Sequence, residues 1–285
     1  MTGTLPLQGV RVVSLAVNLP GPLAAARLAE FGADVVKVEP PAGDPLDHQM
    51  PLWYAELIVG QTVMRLDLKD HADREKLDGE LAESDVLLTS YRPSALRRLG
   101  LTDVCKRHPR LSHVEIVGHA GEAAEIPGHD LTYQAAYATV SPPTMPTVPV
   151  ADMIGAERAV SATVLALHER TKTGVGQHNM VVLEDAAVFA GAAVRHGLMG
   201  PGAPLGGADA AYGLYATADG WIALAALEPH FRDRTRDALG ATTDSREEYE
   251  AIFATQPTKF WEELAQRVDI PLARVAVPTR GETQE

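Results

Sequence analysis

The side chains of this sequence that most readily suggest chemistry are basic residues clustered between positions 92 and 110. An arginine can hold a phosphate or a carboxylate through two parallel hydrogen bonds, so such a cluster could bind an anionic small molecule. The same charges could instead form a solvated surface with internal salt bridges, which is the commoner outcome for a run of charge. The cluster consists of Arg92, Arg97, Arg98, Lys106, Arg107 and Arg110.

An acidic residue, Glu39, follows the second predicted strand, where a dinucleotide-binding fold places the acid that holds a ribose. The turn after the first predicted strand reads AVNLPGP, however, and has one glycine where the dinucleotide fingerprint needs GxGxxG. The sequence also contains no GxxxxGK[ST] and no GxSxG. These observations disfavour nicotinamide binding, a P-loop and a serine nucleophile elbow.

Alternating strands and helices must position these residues. Short apolar runs alternate with helical patterns in the first part of the chain, which is typical of βαβ units and a parallel sheet. The predicted strands cover 10–15, 34–38, 85–88 and 112–117. A crossover helix is predicted at 22–31, because Ala24, Leu28 and Phe31 share one helix face and Gly32 can end it. Further helices are predicted at 74–82, 95–99 and 154–170, and a strand or a helix at 179–190.

The second part of the chain predicts a separate, smaller domain. The string PPTMPTVP at 142–149 predicts an extended connector, because proline disfavours both helices and central strands. A hairpin around Asp219-Gly220 is predicted at 212–226, followed by helices at 231–239 and 260–268 and a strand at 270–278. The predicted organisation is a large domain at 1–195, a linker at 196–212 and a small domain at 213–285.

Composition excludes several classes of protein. The net charge of −13 argues against nucleic acid as a partner, since binding to a phosphate backbone needs clustered Lys and Arg. A single cysteine, Cys105, excludes a disulfide framework, and the ten histidines show neither HExxH nor paired Cys/His spacing. Neither a signal segment nor a run of about 18 apolar residues is present. We therefore predict a metal-free, cytoplasmic protein that does not insert into a membrane.

Eight strings form an ordered set along the chain: LQGVRVVSL, PGPLAAARLAEFGADVVKVEPPAGDP, LDLKD, SDVLLTSYRPSALRRLGL, HPRLSHVEIVG, PGHDLTY, VADMIGAERAVSATVLALHERTKTGVGQ and ALEPHF. Taken together and in this order, they resemble the class III CoA-transferase and alpha-methylacyl-CoA racemase family. The resemblance covers nearly the whole chain. It implies an α/β fold, with a Rossmann-like parallel sheet in the large domain and a second, smaller α+β domain.

The resemblance also implies which residues bind coenzyme A, because loops of the first domain hold its nucleotide end in this family. Physical chemistry supports the positions near the basic cluster, since a guanidinium can bind phosphate while a neighbouring ring stacks on adenine. The alternative is a helix start whose arginines lie along the surface. The matching positions are Asn18, Leu19, Leu66, Lys69, Ser90, Tyr91, Arg92 and Arg98.

Three residues match catalytic or neighbouring positions of the family. Asp152 matches the catalytic aspartate, and its place before a predicted helix also makes it a candidate N-cap with free N–H groups nearby. His129 matches the racemases, whereas transferases usually carry an aromatic residue there. Glu228 matches the racemase pattern as part of the polar network around the active site. A lone histidine is ordinarily structural, but the three matches together favour a catalytic role.

The resemblance implies racemisation or epimerisation of 2-methylacyl-CoA thioesters. His129 would take or return the α-proton on one face and Asp152 on the other, with Glu228 orienting the imidazole. In the alternative, a CoA-transferase, Asp152 would be a nucleophile that forms a mixed anhydride. A catalytically silent CoA-binding protein is a third alternative. The resemblance further implies an interlocked homodimer that uses a CoA thioester as substrate and has no prosthetic group.

Three features depart from the family pattern. The stretch IVGQTVMRLDL lacks the usual Asn-Arg-Lys or Asn-Arg-Arg string before LDL, which removes a cationic phosphate contact. The string NMVVL replaces the usual VDVSM after GVGQH and weakens the prediction of a strand there. Family members also commonly run well beyond this length, so an interlocked dimer could close differently.

Overall fold

A computed structural model describes residues 4–277 of the chain. The chain divides into two compact units, Met1–Gly191 and Ala192–Glu285, which are described separately here. The first contains a six-stranded sheet and the second a three-stranded sheet. The predicted α/β class, with a Rossmann-like sheet and a smaller α+β part, is confirmed. The predicted boundaries at 195 and 212 stay predictions. Within 4–277, no helix is long and apolar enough to cross a membrane.

The sheet of the first unit consists of parallel strands whose side chains are largely buried and aliphatic, as expected where helices cover both faces. These strands are β1 (Arg11–Ser14), β2 (Asp34–Glu39), β3 (Thr62–Arg65), β4 (Val86–Thr89), β5 (Ser112–Val117) and β6 (His178–Val182). Every neighbouring pair is parallel. Their order, β3-β2-β1-β4-β5-β6, is that of a Rossmann fold.

Helices cover both faces of this sheet. On one face Leu28 and Ala159 pack in a cluster with Val12, and on the other face Leu81 packs in a cluster with Val13. Burial of such aliphatic side chains stabilises the unit by about 1.5–3 kcal/mol each. The helices are α1 (Pro20–Glu30), α2 (Pro45–Gln49), α3 (Pro51–Leu57), α4 (His71–Ala82), α5 (Pro93–Leu99), α6 (Val104–Arg107), α7 (Asp130–Ala136), α8 (Val150–Thr173) and α9 (Leu183–Ala190).

The second unit is built on an antiparallel sheet of β7 (Tyr212–Ala216), β8 (Trp221–Ala225) and β9 (Leu272–Arg274). The predicted hairpin around Asp219-Gly220 is confirmed, because these residues join β7 to β8. An aromatic core of Tyr215, Tyr249, Phe253 and Trp261 packs against the sheet. The helices are α10 (Ala192–Arg195), α11 (Pro229–Leu239), α12 (Arg246–Phe253) and α13 (Thr258–Val268). The polar tail at 279–285 lies outside the described residues.

Some elements differ from the sequence-based expectation. Strand β3 was not predicted, because its side chains are largely exposed at the sheet edge and give no apolar signal. The segment predicted as a strand or a helix at 179–190 contains both, β6 followed by α9. Helix α8 begins at Val150, not at 154, and its N-cap position is Pro149. The expected N-cap role of Asp152 is therefore wrong, because this residue lies inside the first helical turn.

The turn between α8 and β6 depends on Gly176, and this close packing can be tested. A Cβ at this position would lie 2.1 Å from the carbonyl oxygen of Leu111, which is backbone and cannot easily move. We expect Gly176→Ala to lower the free energy of unfolding by about 1–3 kcal/mol. The matched control, Gly79→Ala in the open middle of α4, should raise it by about 0.5–1 kcal/mol. Urea unfolding measures both, and equal effects would contradict this packing.

Candidate active site

The strand order of the sheet reverses between β1 and β4, and α/β sheets bind ligands at the carboxyl ends of the strands beside such a reversal. The loops after these two strands meet there, since the N–H of Val17 donates to Ser90 Oγ at 3.1 Å. A cavity of about 190 Å³ opens at this point. Residues from the loops after β1, β4 and β5 and from α7 and α8 line it, among them Asn18, Ser90, Tyr91, Arg92, Gly118, His129, Tyr133 and Asp152.

A buried ion pair fixes the loop that carries Asn18. Asn18 has a φ of 69°, and its N–H donates to Asp44 Oδ1 at 3.3 Å. The ammonium group of Lys37 donates to Asp44 Oδ2 at 2.7 Å, and both side chains are almost completely buried. A buried charge without its partner is strongly unfavourable, so the pair holds Asp44 beneath the loop. Sequence reasoning did not single out this pair, although a lysine inside the apolar strand DVVKVE was a usable signal.

The amino end of α8 is capped by Asp130, the first residue of α7. Asp130 Oδ1 accepts the N–H of Ala151 at 2.8 Å and the N–H of Asp152 at 3.1 Å. The expectation that free N–H groups would stabilise the charge of Asp152 is therefore wrong, because Asp130 uses these groups. The signal that could have predicted this role is a carboxylate directly after His129 at the start of a helix.

Asp152 consequently lies in a site that disfavours its ionised form. Burial and, to a smaller extent, the nearby charge of Asp130 raise the pKa of Asp152 to about 7. A carboxyl group with this pKa can both accept and donate a proton near neutral pH. The environment thus gives two neighbouring aspartates different properties, one capping a helix and the other poised for proton transfer.

His129 stands directly before α7 and lines the same cavity as Asp152. Its N–H donates to Thr132 Oγ1 at 3.1 Å, and that hydroxyl donates to the carbonyl of His129 at 2.7 Å. These bonds fix the backbone at the start of the helix. His129 and Asp152 also line a second cavity of about 300 Å³, whose walls include Met145 and Val148. The imidazole and the carboxyl group therefore lie where two cavities adjoin.

Tyr133 is a buried residue of the first cavity that sequence reasoning did not assign. A Cβ at Gly118 or at Gly128 would come within 2.3 or 2.5 Å of its hydroxyl, so both glycines are needed for the ring to fit. Burial, followed by the charge of Asp152, raises the pKa of Tyr133 to about 12. The hydroxyl therefore keeps its proton at neutral pH and can donate a hydrogen bond to a ligand oxygen.

Leu66 and Lys69 line a third cavity of about 190 Å³ at the carboxyl ends of the β1–β3 half of the sheet. Tyr91 lines both this cavity and the first one. A mainly apolar wall with one ring and one cation is chemically suited to a purine and a phosphate. Glu39 also lies here, but it is engaged by the hydroxyl of Tyr54 and by Lys37 at 3.7 Å.

The remaining predicted site residues lie elsewhere. Within residues 4–277, Leu19 and Arg98 line neither the cavity that contains Arg92 nor the one that contains Lys69. Leu19 precedes α1, and Arg98 is exposed on α5. Glu228 occupies the N-cap position of α11 in the second unit, and its catalytic role stays a prediction. Part of the basic cluster forms the salt bridges of a solvated surface, namely Arg97 with Glu125, Lys106 with Asp103 and Arg107 with Asp78.

Comparison with known proteins identifies the family of the chain. The sequence model of the family described as CoA-transferase family III matches residues 7–281. The chain belongs to this family. The family resemblance seen in the sequence is thereby confirmed.

Two curated relatives illustrate the range of this family. The chain is 31% identical to human alpha-methylacyl-CoA racemase over 268 residues, which cover 84% of the chain and 66% of the racemase. It is 30% identical to acetyl-CoA:oxalate CoA-transferase of Acetobacter aceti over 213 residues, which cover 68% of the chain and 54% of the transferase. The matched part thus spans between about half and two thirds of these relatives.

Solved structures support the fold. A hypothetical protein of Mycobacterium tuberculosis, Rv3272, aligns with a TM-score of 0.83 at 22% identity, covering 96% of this chain and 86% of that one. A CaiB/BaiF family protein of Brucella suis aligns with a TM-score of 0.81 at 24% identity, covering 96% and 85%. At these identities the likeness concerns the fold alone.

The raised pKa of Asp152 can be measured directly. In protein labelled with ¹³C at aspartate carboxyl groups, the resonance of Asp152 should titrate with a midpoint of about 7. Asp130→Asn keeps an acceptor for the two amides but removes the charge, so the midpoint should fall. Asp34→Asn, a change at an exposed aspartate, should leave it unchanged. A wild-type midpoint at the ordinary aspartate value of about 4 would contradict the described environment.

The same pKa predicts how stability depends on pH. Folding raises the pKa of Asp152, so the folded chain favours the protonated carboxyl group. The contribution of this group to stability is fully present below its pKa in the unfolded chain, about 4, and is lost as the pH rises through its folded pKa of about 7. Asp152→Asn has no such loss, so it should stabilise the chain most above pH 7, by at most about 4 kcal/mol. Denaturant unfolding at acidic and alkaline pH measures the difference. A stabilisation that does not change with pH would contradict this explanation.

Proposed function

We propose that this chain is a racemase or epimerase of 2-methylacyl-CoA thioesters. One observation carries the proposal: an imidazole, His129, and a carboxyl group with a pKa of about 7, Asp152, line the same cavity at the reversal of the strand order. Inversion at the carbon next to a thioester carbonyl needs one group to remove a proton and another to return it from the opposite side. The two side chains supply these groups.

In the proposed reaction the α-carbon of the thioester lies between His129 and Asp152. One group takes the α-proton, the electrons of the C–H bond move into the thioester as an enolate, and the other group protonates the opposite face. The neutral hydroxyl of Tyr133 can donate a hydrogen bond to the enolate oxygen and so favours negative charge there.

Coenzyme A would bind along the carboxyl ends of the strands. Arg92 supplies a cation in the first cavity, and Lys69 supplies one in the cavity that it lines with Leu66. Tyr91 lines both cavities, so its ring can contact the adenine while the rest of the coenzyme continues towards His129. The adjoining cavity with Met145 and Val148 is partly apolar, which suits the acyl group.

A CoA-transferase is the second candidate, favoured by relatives such as acetyl-CoA:oxalate CoA-transferase. In that reaction the carboxylate of Asp152 attacks the thioester carbonyl, a mixed anhydride forms, and CoA leaves as its thiolate. CoA then attacks the aspartyl carbonyl and releases the acyl carboxylate. An acceptor carboxylate attacks the resulting aspartyl thioester, CoA leaves again as its thiolate, and a second anhydride forms. Attack of CoA on the acceptor's carbonyl gives the new thioester and restores the carboxylate of Asp152. This route needs no base at position 129, so the role of His129 distinguishes the two candidates.

The decisive experiment follows single enantiomers of a 2-methylacyl-CoA in D₂O, with NMR for loss of the α-proton and chiral analysis for inversion. His129→Gln and Asp152→Asn should each lower inversion about 10²–10⁴-fold. Each variant should still exchange the α-proton of the enantiomer that faces its remaining base, and the two variants should retain opposite enantiomers. His71→Gln, at an exposed histidine of α4, is the matched control and should behave as the wild type.

Other outcomes would replace the proposal. Transfer of CoA to free carboxylates, modification of Asp152 by hydroxylamine during turnover, and normal activity of His129→Gln would establish the transferase. Thermal stabilisation by CoA with neither exchange nor transfer would establish a binding protein.

A further inference from the structure

Three side chains outside the proposed reaction meet on one face of the sheet. His113 of β5 and His178 of β6 are register partners on neighbouring strands. Glu115 lies two residues after His113 and therefore projects from the same face. One ligand atom of each residue lies within 4.8 Å of those of the other two. We propose that His113, Glu115 and His178 form a binding site for a divalent transition-metal ion, with zinc as the best match.

The three side chains already contact one another. The rings of His113 and His178 are stacked with centroids 5.0 Å apart, and Nε2 of His178 lies 2.8 Å from Oε2 of Glu115. A tetrahedral zinc ion with bonds of about 2.0–2.2 Å holds its ligand atoms about 3.4 Å apart. The ligand atoms lie within 4.8 Å of one another, so their separations must change to hold an ion at this spacing.

The surroundings suit a metal ion. Thr89 Oγ1 lies 2.8 Å from Nε2 of His113 and fixes the orientation of its ring, as hydrogen bonds do for most metal-binding histidines. His113 and Glu115 are buried, whereas His178 is half exposed and gives an ion access from solvent.

Two imidazoles and one carboxylate favour zinc over magnesium or calcium, which prefer ligand sets made of oxygen. Three protein ligands leave the fourth tetrahedral position for water. Strand β6 is the last strand in the order of the sheet, so an ion held by His178 would tie this edge strand to β5. The sequence predicted no metal site, because ligands brought together by pairing of distant parallel strands show no characteristic spacing.

The test uses the full chain, freed of metal and of any affinity tag, with Zn²⁺ or Co²⁺ alone as the probe. Calorimetry should find one Zn²⁺ per chain, and Co²⁺ should give the visible absorption bands of a tetrahedral site. His178→Asn changes a half-exposed residue, and Glu115→Gln preserves shape. Each should weaken binding at least about 10-fold. His71→Asn, at a histidine that lies 3.7 Å from Glu75, is the matched control and should bind as the wild type.

Two results would overturn the proposal: no binding by the folded wild type, or unchanged binding by both ligand variants. Circular dichroism establishes that each variant is folded. Because the probe is a metal without any acyl-CoA, the outcome does not depend on the proposed reaction. Evidence against the racemase would therefore not contradict the proposed metal site.

Discussion

The proposed chemistry depends on the hydrogen bonds between Asp130 and the first amides of α8. These bonds satisfy N–H groups that would otherwise stabilise the ionised form of Asp152, and they place a second negative charge beside it. One carboxylate thereby caps the helix, while burial and this neighbouring charge raise the pKa of Asp152 to about 7. Two chemically identical groups acquire separate roles through their environment, which is how many acid/base pairs arise.

The sheet supplies the rigid base for this arrangement. The reversal of strand order leaves a gap above β1 and β4, and the loops after these strands are held together through Val17 and Ser90. The buried pair of Lys37 and Asp44 lies below the Asn18 loop. Loss of either partner would leave an uncompensated charge in the interior at a cost of about 3–5 kcal/mol. The wall of the cavity is thus coupled to the stability of the core.

The sequence predicted those parts of the fold that depend on continuous burial. Strands β1, β2, β4 and β5 are buried aliphatic runs and were predicted, whereas the exposed edge strand β3 was not. The start of α8 was misplaced, because local sequence cannot show that a carboxylate from another helix will cap it. Six assigned positions, Asn18, Ser90, Tyr91, Arg92, His129 and Asp152, line one cavity. Asp130, Tyr133 and Lys37 were missed, since their roles arise from tertiary contacts.

The pKa of Asp152 bears on the choice between the two reactions. A racemase needs its carboxyl group as a base in one direction and as an acid in the other, so a pKa near neutral pH minimises the cost of both steps. A nucleophile acts only in its ionised form, and a pKa of about 7 leaves half of the carboxyl groups protonated at neutral pH. Transferase chemistry would gain from hydrogen bonds that keep Asp152 charged, yet Asp130 takes the nearest amides. A pKa of about 7 thus suits transfer of a proton in either direction, while it lowers the ionised fraction available to a nucleophile only about twofold at neutral pH.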